Sequence, residues 1–399
     1  MVLVSRVPYP LEKGDKLRAF NQIKRLSRNH SVHLIALNDS KLHPEAVSTL
    51  TQYCTSIRIL PLSRITTIFN LFRTIFTDLP FQVGYFFDKK AKTDIQEEIR
   101  KIQPDLIFCQ LIRMTEYVNE SPIPKVLDYM DVFSKGFKRR AEKASVLLKP
   151  LLWMEYKRLL RYERQVISLY NEKIIISEQD RAFIPHSGNM QIQVIPNGVD
   201  LDYFSPRETT KKYDLVFTGN MGYAPNVDSV VYLVQKILPL VRKEIPGITL
   251  LVAGADPAPK VLALRSGEVT VTGWVDDIRD AYASSKIFIA PMQLGSGLQN
   301  KLLEAMAMRL PCITSSLAAK ALGTLSPGSV FIARSEAEYA HCVLQLLRDQ
   351  AAADELARNG YEFVRSRFNW DLINTKLEKI FGQTVTACLE KTAGEISQL

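Results

Sequence analysis

Residues 286–315 constrain the fold of this chain more tightly than any other stretch. An apolar run from Lys286 to Pro291 leads into Gly295-Ser296-Gly297. An amphipathic stretch carrying Lys301 and Glu304 follows, and Cys312 to Thr314 form a second apolar run. Strand, glycine loop, helix start and strand in that order make a parallel crossover, which needs a sheet covered by helices on both faces. The same unit aims the first helical N–H groups at an anion, and the glycines let a phosphate come close. Glu304, about two turns into the helix, is placed to accept a hydrogen bond from a sugar hydroxyl. The segment reads as the nucleotide end of a sugar-nucleotide site.

The rest of the chain repeats the theme. At 399 residues it exceeds one ordinary core and fits two domains. Strands are expected at Val2 to Val4, Val32 to Leu37, Ile57 to Leu60, Leu106 to Cys109, Val126 to Leu127 and Lys173 to Ile176. Leu17, Phe20, Ile23 and Leu26 recur at helical spacing between the first two. Ile195-Pro196-Asn197-Gly198 supplies turn chemistry, and Ser205 to Lys212 reads as a linker. The pattern then restarts, with strands expected at Tyr213 to Thr218, Ile248 to Ala253, Val269 to Thr272, Ile287 to Ala290, Cys312 to Thr314 and Val330 to Ile332. This predicts two consecutive doubly wound α/β domains with a crevice between them. The expected spans are residues 1–190 and 191–370, with a helix over 371–390 packing back on the first domain.

Composition narrows the class. With 46% hydrophobic and 23% charged residues, the chain is expected to be globular rather than disordered. No apolar run is long enough for a transmembrane helix, and a chain opening on a strand is not expected to carry a signal peptide. Five scattered cysteines without a CxxC, unpaired with histidines, argue against a disulfide framework or a zinc site and for a reducing cytoplasm. Charge is uneven: Lys and Arg outnumber Asp and Glu by 30 to 20 in residues 1–199, against 21 to 22 in residues 200–399. An anionic partner is therefore expected for the first half alone. No nucleic-acid motif accompanies that charge, so an anionic membrane surface is favoured over nucleic acid.

Several short motifs occur in a telling order: Val194-Ile195-Pro196-Asn197-Gly198-Val199-Asp200 with Phe204, Phe217-Thr218-Gly219, Gly273-Trp274-Val275 with Asp277-Ile278, Ala290-Pro291, and Leu303-Glu304-Ala305-Met306-Ala307 with Pro311. Together they resemble the family-4 (group 1) glycosyltransferases of the GT-B fold, two Rossmann-like doubly wound domains facing each other across a cleft. Pro8-Tyr9-Pro10, Gly14-Asp15-Lys16, Arg18 and Leu127-Asp128-Tyr129-Met130-Asp131-Val132 are similar to the exopolysaccharide sugar transferases of exosortase/PEP-CTERM systems. The resemblance implies a metal-independent, retaining hexosyl transfer from a UDP- or GDP-linked sugar on the second domain. A glycan or polyprenyl-linked acceptor would sit on the first, with the nucleotide sugar as co-substrate and no further cofactor.

Each candidate residue carries two readings. Glu304 would bind the ribose hydroxyls, or merely pair with Lys301 on a helix surface. Gly295, Ser296 and Gly297 would admit the diphosphate, or simply connect. The family pattern usually has an acid where this chain has Ser296, and many relatives have an arginine where it has Asn220. With Gly219 and Asn220 offering no cation, Lys301 is the expected diphosphate contact and, with Asp128, a catalytic candidate; the alternative is a solvated lysine. Backbone near Trp274 and Val275 would receive the base. Gly14 would face the diphosphate from the first domain, or merely connect; Lys16 and Arg18 would add positive charge beside it, or simply be solvated like most basic residues on a first helical turn. Asp128 would accept the acceptor hydroxyl's proton or orient the transferring sugar, or else cap the helix that follows it.

Asp200-Leu201-Asp202 has a metal-binding look but belongs to the turn at Gly198, so no metal is expected there. The glycines at 219 and 222 lack the rest of a dinucleotide fingerprint. Lys157, Arg161 and Arg164 beside Trp153 and Tyr156, and the apolar stretch Ile65 to Phe87, suit either a membrane-facing surface or an ordinary basic face and a buried helix. The sequence thus points to a cytoplasmic, peripherally membrane-associated glycosyltransferase of exopolysaccharide assembly. A sugar-nucleotide epimerase of the same fold and a non-catalytic nucleotide-sugar scaffold are the rivals.

Overall fold

The structure, a computed structural model, describes residues 1–184, 186–294 and 297–396. The chain divides into two compact units, Met1–Ile195 with Asn374–Leu399, and Pro196–Ile373. The division falls at 195/196 against the expected 190/191. Each unit is built on one parallel sheet, the doubly wound α/β class that the alternating pattern predicts.

In the first unit the strands are β1 (Val2–Val4), β2 (His33–Asn38), β3 (Ser56–Pro61), β4 (Ile107–Gln110), β5 (Lys125–Asp128), β6 (Glu172–Ile175) and β7 (Gln193–Val194), in the order β3-β2-β1-β4-β5-β6-β7. The last strand is one more than the sequence pattern offers, because two residues are too few to show a period. β1, β4 and β5 are buried throughout, as central parallel strands must be when helices cover both faces. The edge strand β3 alternates between exposed and covered positions instead. Leu3, Ile35, Leu37, Cys109, Leu127 and Ile175 form the sheet's share of the core. In the C-terminal segment, Phe381 lies with its ring 5.1 Å from that of Phe108, and Asn29 Nδ2 donates to Glu378 at 3.1 Å.

The second unit holds β8 (Tyr213–Thr218), β9 (Leu250–Ala253), β10 (Val269–Val271), β11 (Ser285–Ala290), β12 (Cys312–Ser315) and β13 (Phe331–Ala333), in the order β10-β9-β8-β11-β12-β13. Strand order reverses between β8 and β11, and such a reversal opens a crevice at the carboxyl ends where ligands bind in open α/β sheets. Two glycines shape that end. Gly219 follows β8 at φ +142° and Gly254 follows β9 at φ +141°. A Cβ on Gly254 would lie 1.8 Å from the Gly219 carbonyl oxygen, so the two strand ends touch backbone to backbone. The Asn197-Gly198 turn is set in a similar way: a Cβ on Gly198 would meet the buried Trp370 indole at 2.8 Å, and Val199 N donates to Phe368 O at 2.7 Å. Within that turn Asp200 Oδ1 accepts from Tyr203 N at 3.1 Å.

Gly254→Ala is expected to cost about 3 kcal/mol or more, since it combines a positive φ with a backbone overlap. Gly14→Ala, whose added Cβ meets nothing within 4 Å, should stay within about 0.5 kcal/mol. Urea unfolding followed by circular dichroism measures both; a neutral Gly254→Ala would mean the strand ends are not in contact.

Candidate functional site

The candidate site lies at the carboxyl end of β8 in the second unit. The helix Asn300–Ala307 begins there without a side-chain cap; Leu302 N donates to Gln299 O at 3.0 Å, and the uncapped start of the helix faces an anion favourably. Its second residue, Lys301, turns inward and is 9% exposed. The ammonium donates to Asn226 Oδ1, lies 4.5 Å from the centre of the Phe217 ring, and sits where a Cβ on Gly219 would be 3.2 Å away. Gly219 therefore does two things: it adopts a conformation other residues resist, and it leaves room for the ammonium. Asn226 Oδ1 is the acceptor Nζ has among the described residues, although an ammonium has three donors. Burial pushes the Lys301 pKa down to about 7, against the opposing pull of Glu304.

Glu304 lies one turn further along the helix and is partly buried. The Tyr282 hydroxyl donates to its Oε2 at 2.8 Å and, with that proton committed, accepts from Thr218 Oγ1 at 2.7 Å. Burial raises the Glu304 carboxyl above its ordinary range, while the Tyr282 hydrogen bond and the Lys301 charge pull it down. Burial also holds the Tyr282 phenol well above its ordinary value, so it stays a donor. Glu304 Oε1 has no hydrogen-bond partner among the described residues. One carboxylate oxygen is thus fixed by the protein and the other is left for a hydroxyl.

Gly219, Lys301 and Glu304 come together here, and Gly297, at φ +98°, leads into the same helix. Gly295 and Ser296 lie outside the described residues. The Gly273-Trp274-Val275 loop is tied to the same strand ends by Gly254 N donating to Gly273 O at 3.1 Å. Trp274 is 66% exposed, an apolar ring left uncovered by its own unit. Asn220, grouped with the donor-binding candidates although it brings no charge, is held within its own loop. Its amide donates to Asp256 Oδ2 at 3.0 Å and accepts from Gly222 N at 2.8 Å, so it braces the loop. Tyr282 and Asn226 were missed by sequence reasoning, since each reaches the site from a helix whose local sequence carries no signal for it.

In the first unit Gly14 opens the helix Gly14–Leu26, which also lacks a side-chain cap. Two expectations are corrected there. Arg18 is not solvated: it is 0% exposed, with Nε donating to Asp128 Oδ2 at 2.6 Å and Nη2 to Ile195 O at 2.9 Å. Asp128 is equally buried, and its Oδ1 accepts from Met130 N at 3.1 Å. A carboxylate enclosed with a guanidinium holds the fold together and is a poor base for an incoming hydroxyl. Lys16 is occupied as well, paired with Glu12 at 2.8 Å. Asp131 is exposed, on a turn in which Met130 adopts φ +56° and Asp131 N donates to Tyr129 O at 2.7 Å.

Comparison with known proteins follows the same division. Residues 212–349 match the family described as glycosyl transferases group 1. An uncharacterised 44.6 kDa protein of the cps region of Klebsiella pneumoniae is 22% identical over 92% of this chain and 96% of its own length. A GDP-mannose-dependent alpha-(1-6)-phosphatidylinositol monomannoside mannosyltransferase of Mycobacterium tuberculosis is 27% identical over 47% of this chain; the match spans about half of that relative, 54%. Among solved structures, the sucrose-phosphate synthase of Thermosynechococcus elongatus superposes with a TM-score of 0.68 at 17% identity, over 97% of this chain and 99% of its own. With the motifs in order and the strand-end site in place, residues 212–349 carry a group 1 glycosyltransferase domain, within a chain of the GT-B fold.

Proposed function

We propose that the chain transfers a sugar, with retention at the anomeric carbon, from a UDP- or GDP-linked donor to a hydroxyl of a glycan or polyprenyl-linked acceptor in exopolysaccharide synthesis. The observation that carries this reading is the Lys301 ammonium, held beside Gly219 with donors to spare at the point where strand order reverses. Negative charge grows on the diphosphate as the glycosidic bond breaks, and a fixed cation with uncapped helical amides lowers that barrier. A fixed cation and uncapped amides can neutralise a leaving diphosphate without a divalent ion, and on that ground the reaction is read as metal-independent. Glu304 Oε1 accepts from ribose, and the exposed Trp274 ring with the Val275 backbone receives the base. On the acceptor side Asp131 replaces Asp128 as the accessible carboxylate, presented by a turn whose positive φ is the kind of strain found at functional loops. Cytoplasmic placement, peripheral to the membrane, suits a lipid-linked acceptor.

Incubation with labelled UDP- and GDP-sugars and membrane extract tests the whole reading. Label in lipid or glycan supports it, an altered donor sugar indicates an epimerase, and binding without turnover indicates a scaffold. Glu304→Ala is expected to weaken nucleotide-sugar binding by about 1–3 kcal/mol, the value of hydrogen bonds to a charged group. Unchanged affinity by calorimetry removes Glu304 from the site. Lys301 gives up its proton near pH 7 in the free protein, and a diphosphate needs it charged. Binding above that pH should therefore take up a proton, with affinity falling by up to about ten-fold per pH unit. Buffer-dependent binding enthalpies reveal the uptake, and in Lys301→Met both it and the pH slope should vanish.

A further inference from the structure

We propose that the first unit docks on an anionic phospholipid bilayer through the helix Arg64–Ile75, with the basic pocket on the helix Lys149–Gln165 taking a lipid phosphate headgroup. The inference rests on the peripheral membrane placement proposed above and gives it a surface, and its test needs neither donor nor acceptor.

The Arg64–Ile75 helix is amphipathic the wrong way round for a water-soluble surface. Ile65, Ile68, Phe69 and Phe72, at helical spacing on one face, are 82%, 69%, 65% and 62% exposed, and Phe76 just beyond is 75% exposed. The face turned inward carries the buried Thr67 and Thr74. This is not a loose segment turned outward by chance. Arg158 donates to Thr74 O at 2.7 Å and to Ile75 O at 3.0 Å, holding the last turn against the helix Lys149–Gln165. Gly84 of the helix Phe81–Phe86 comes so close that a Cβ there would be 2.2 Å from Thr74 Cγ2. The apolar stretch from Ile65 to Phe87 therefore divides: Val83 and Phe86 enter the core, and the Arg64–Ile75 helix presents its apolar face to the outside. A second apolar outcrop, Val146 to Leu148, precedes the Lys149–Gln165 helix.

Charge selects what covers this face. The acids of the Lys149–Gln165 helix, Glu155 and Glu163, are buried, and Glu155 accepts from Phe81 N and Gln82 N at 2.8 and 3.0 Å. Its outward charges are all basic. Trp153, Lys157, Arg158 and Arg161 line a pocket of ≈ 410 Å³, and the one acid in its lining, Asp78, is paired with Arg161 at 3.0 Å. Apolar rings for the acyl layer beside ammonium and guanidinium groups at phosphate depth fit an anionic bilayer. A second copy of this chain would bring the same basic surface against itself.

Flotation of the full-length protein with vesicles tests the inference. Binding should be strong to phosphatidylcholine vesicles containing phosphatidylglycerol and at least about ten-fold weaker to phosphatidylcholine alone. Phe69→Ser with Phe72→Ser should lower the partition by about ten-fold or more, and Lys157→Gln with Arg161→Gln should remove most of the preference for anionic vesicles. These side chains are on the outside, so thermal unfolding and calorimetric donor binding should match the wild type in both pairs, which separates failed docking from a failed donor site. Equal binding to both vesicle types, or binding unaffected by either pair, overturns the proposal. So does complete competition by soluble glycerol phosphate, which would make the pocket a site for a free phosphate. Self-association abolished by the phenylalanine pair, without vesicle binding, would give the face to a second copy.

Discussion

The second unit is organised around an ammonium that the fold brings out of water and does not fully satisfy. A buried charge is costly unless it is paired, and Lys301 has an aromatic face, one amide oxygen and a partly buried carboxylate near it. Space for it exists because β8 and β9 end in Gly219 and Gly254, whose positive φ values and missing side chains let two backbones meet. Any larger residue at either position fills the pocket or pushes the strands apart. The lowered Lys301 pKa follows from the same enclosure: burial penalises the charged form, and a bound anion would favour it again.

The first unit has the same strand reversal and resolves its buried charge differently. Arg18, on the helix that follows β1, is matched by Asp128 at the end of β5, with Gln22 at 3.4 Å from the same carboxylate oxygen and the Ile195 carbonyl accepting from the guanidinium. That ion pair is satisfied internally, and removing one partner alone would strand the other in the core. Equivalent topology thus yields a closed ion pair in one unit and a buried ammonium with donors to spare in the other. The difference lies in how many hydrogen-bonding groups remain uncommitted once the helices are packed.

Periodicity made most of the architecture legible. Central strands such as β1, β4 and β11 are near-continuous apolar runs, and glycine or proline marks their ends, so the parallel class and the strand-to-helix order can be read directly. The short β7 could not be read, because a pair of residues has no period. The Ile65–Phe87 stretch defeated the pattern for another reason. An apolar helix face looks the same in sequence whether a core or a solvent boundary will meet it, and only tertiary packing, with Thr74 against Gly84 and Arg158 on the last turn, sets the face outward.

The sequence by itself determined two doubly wound α/β units, the glycines at their turns, and the presence of Lys301 and Glu304 one turn apart on a helix leading from a glycine loop. Local spacing carries such information because hydrogen-bonded helices and strands repeat over a few residues. Tertiary structure alone decided what those residues meet. Tyr282 reaches Glu304 across 22 positions, Asn226 reaches Lys301 across 75, and Arg18 reaches Asp128 across 110. Whether a charged side chain is solvated, buried in a closed pair or left receptive depends on those distant partners, and no local pattern encodes them.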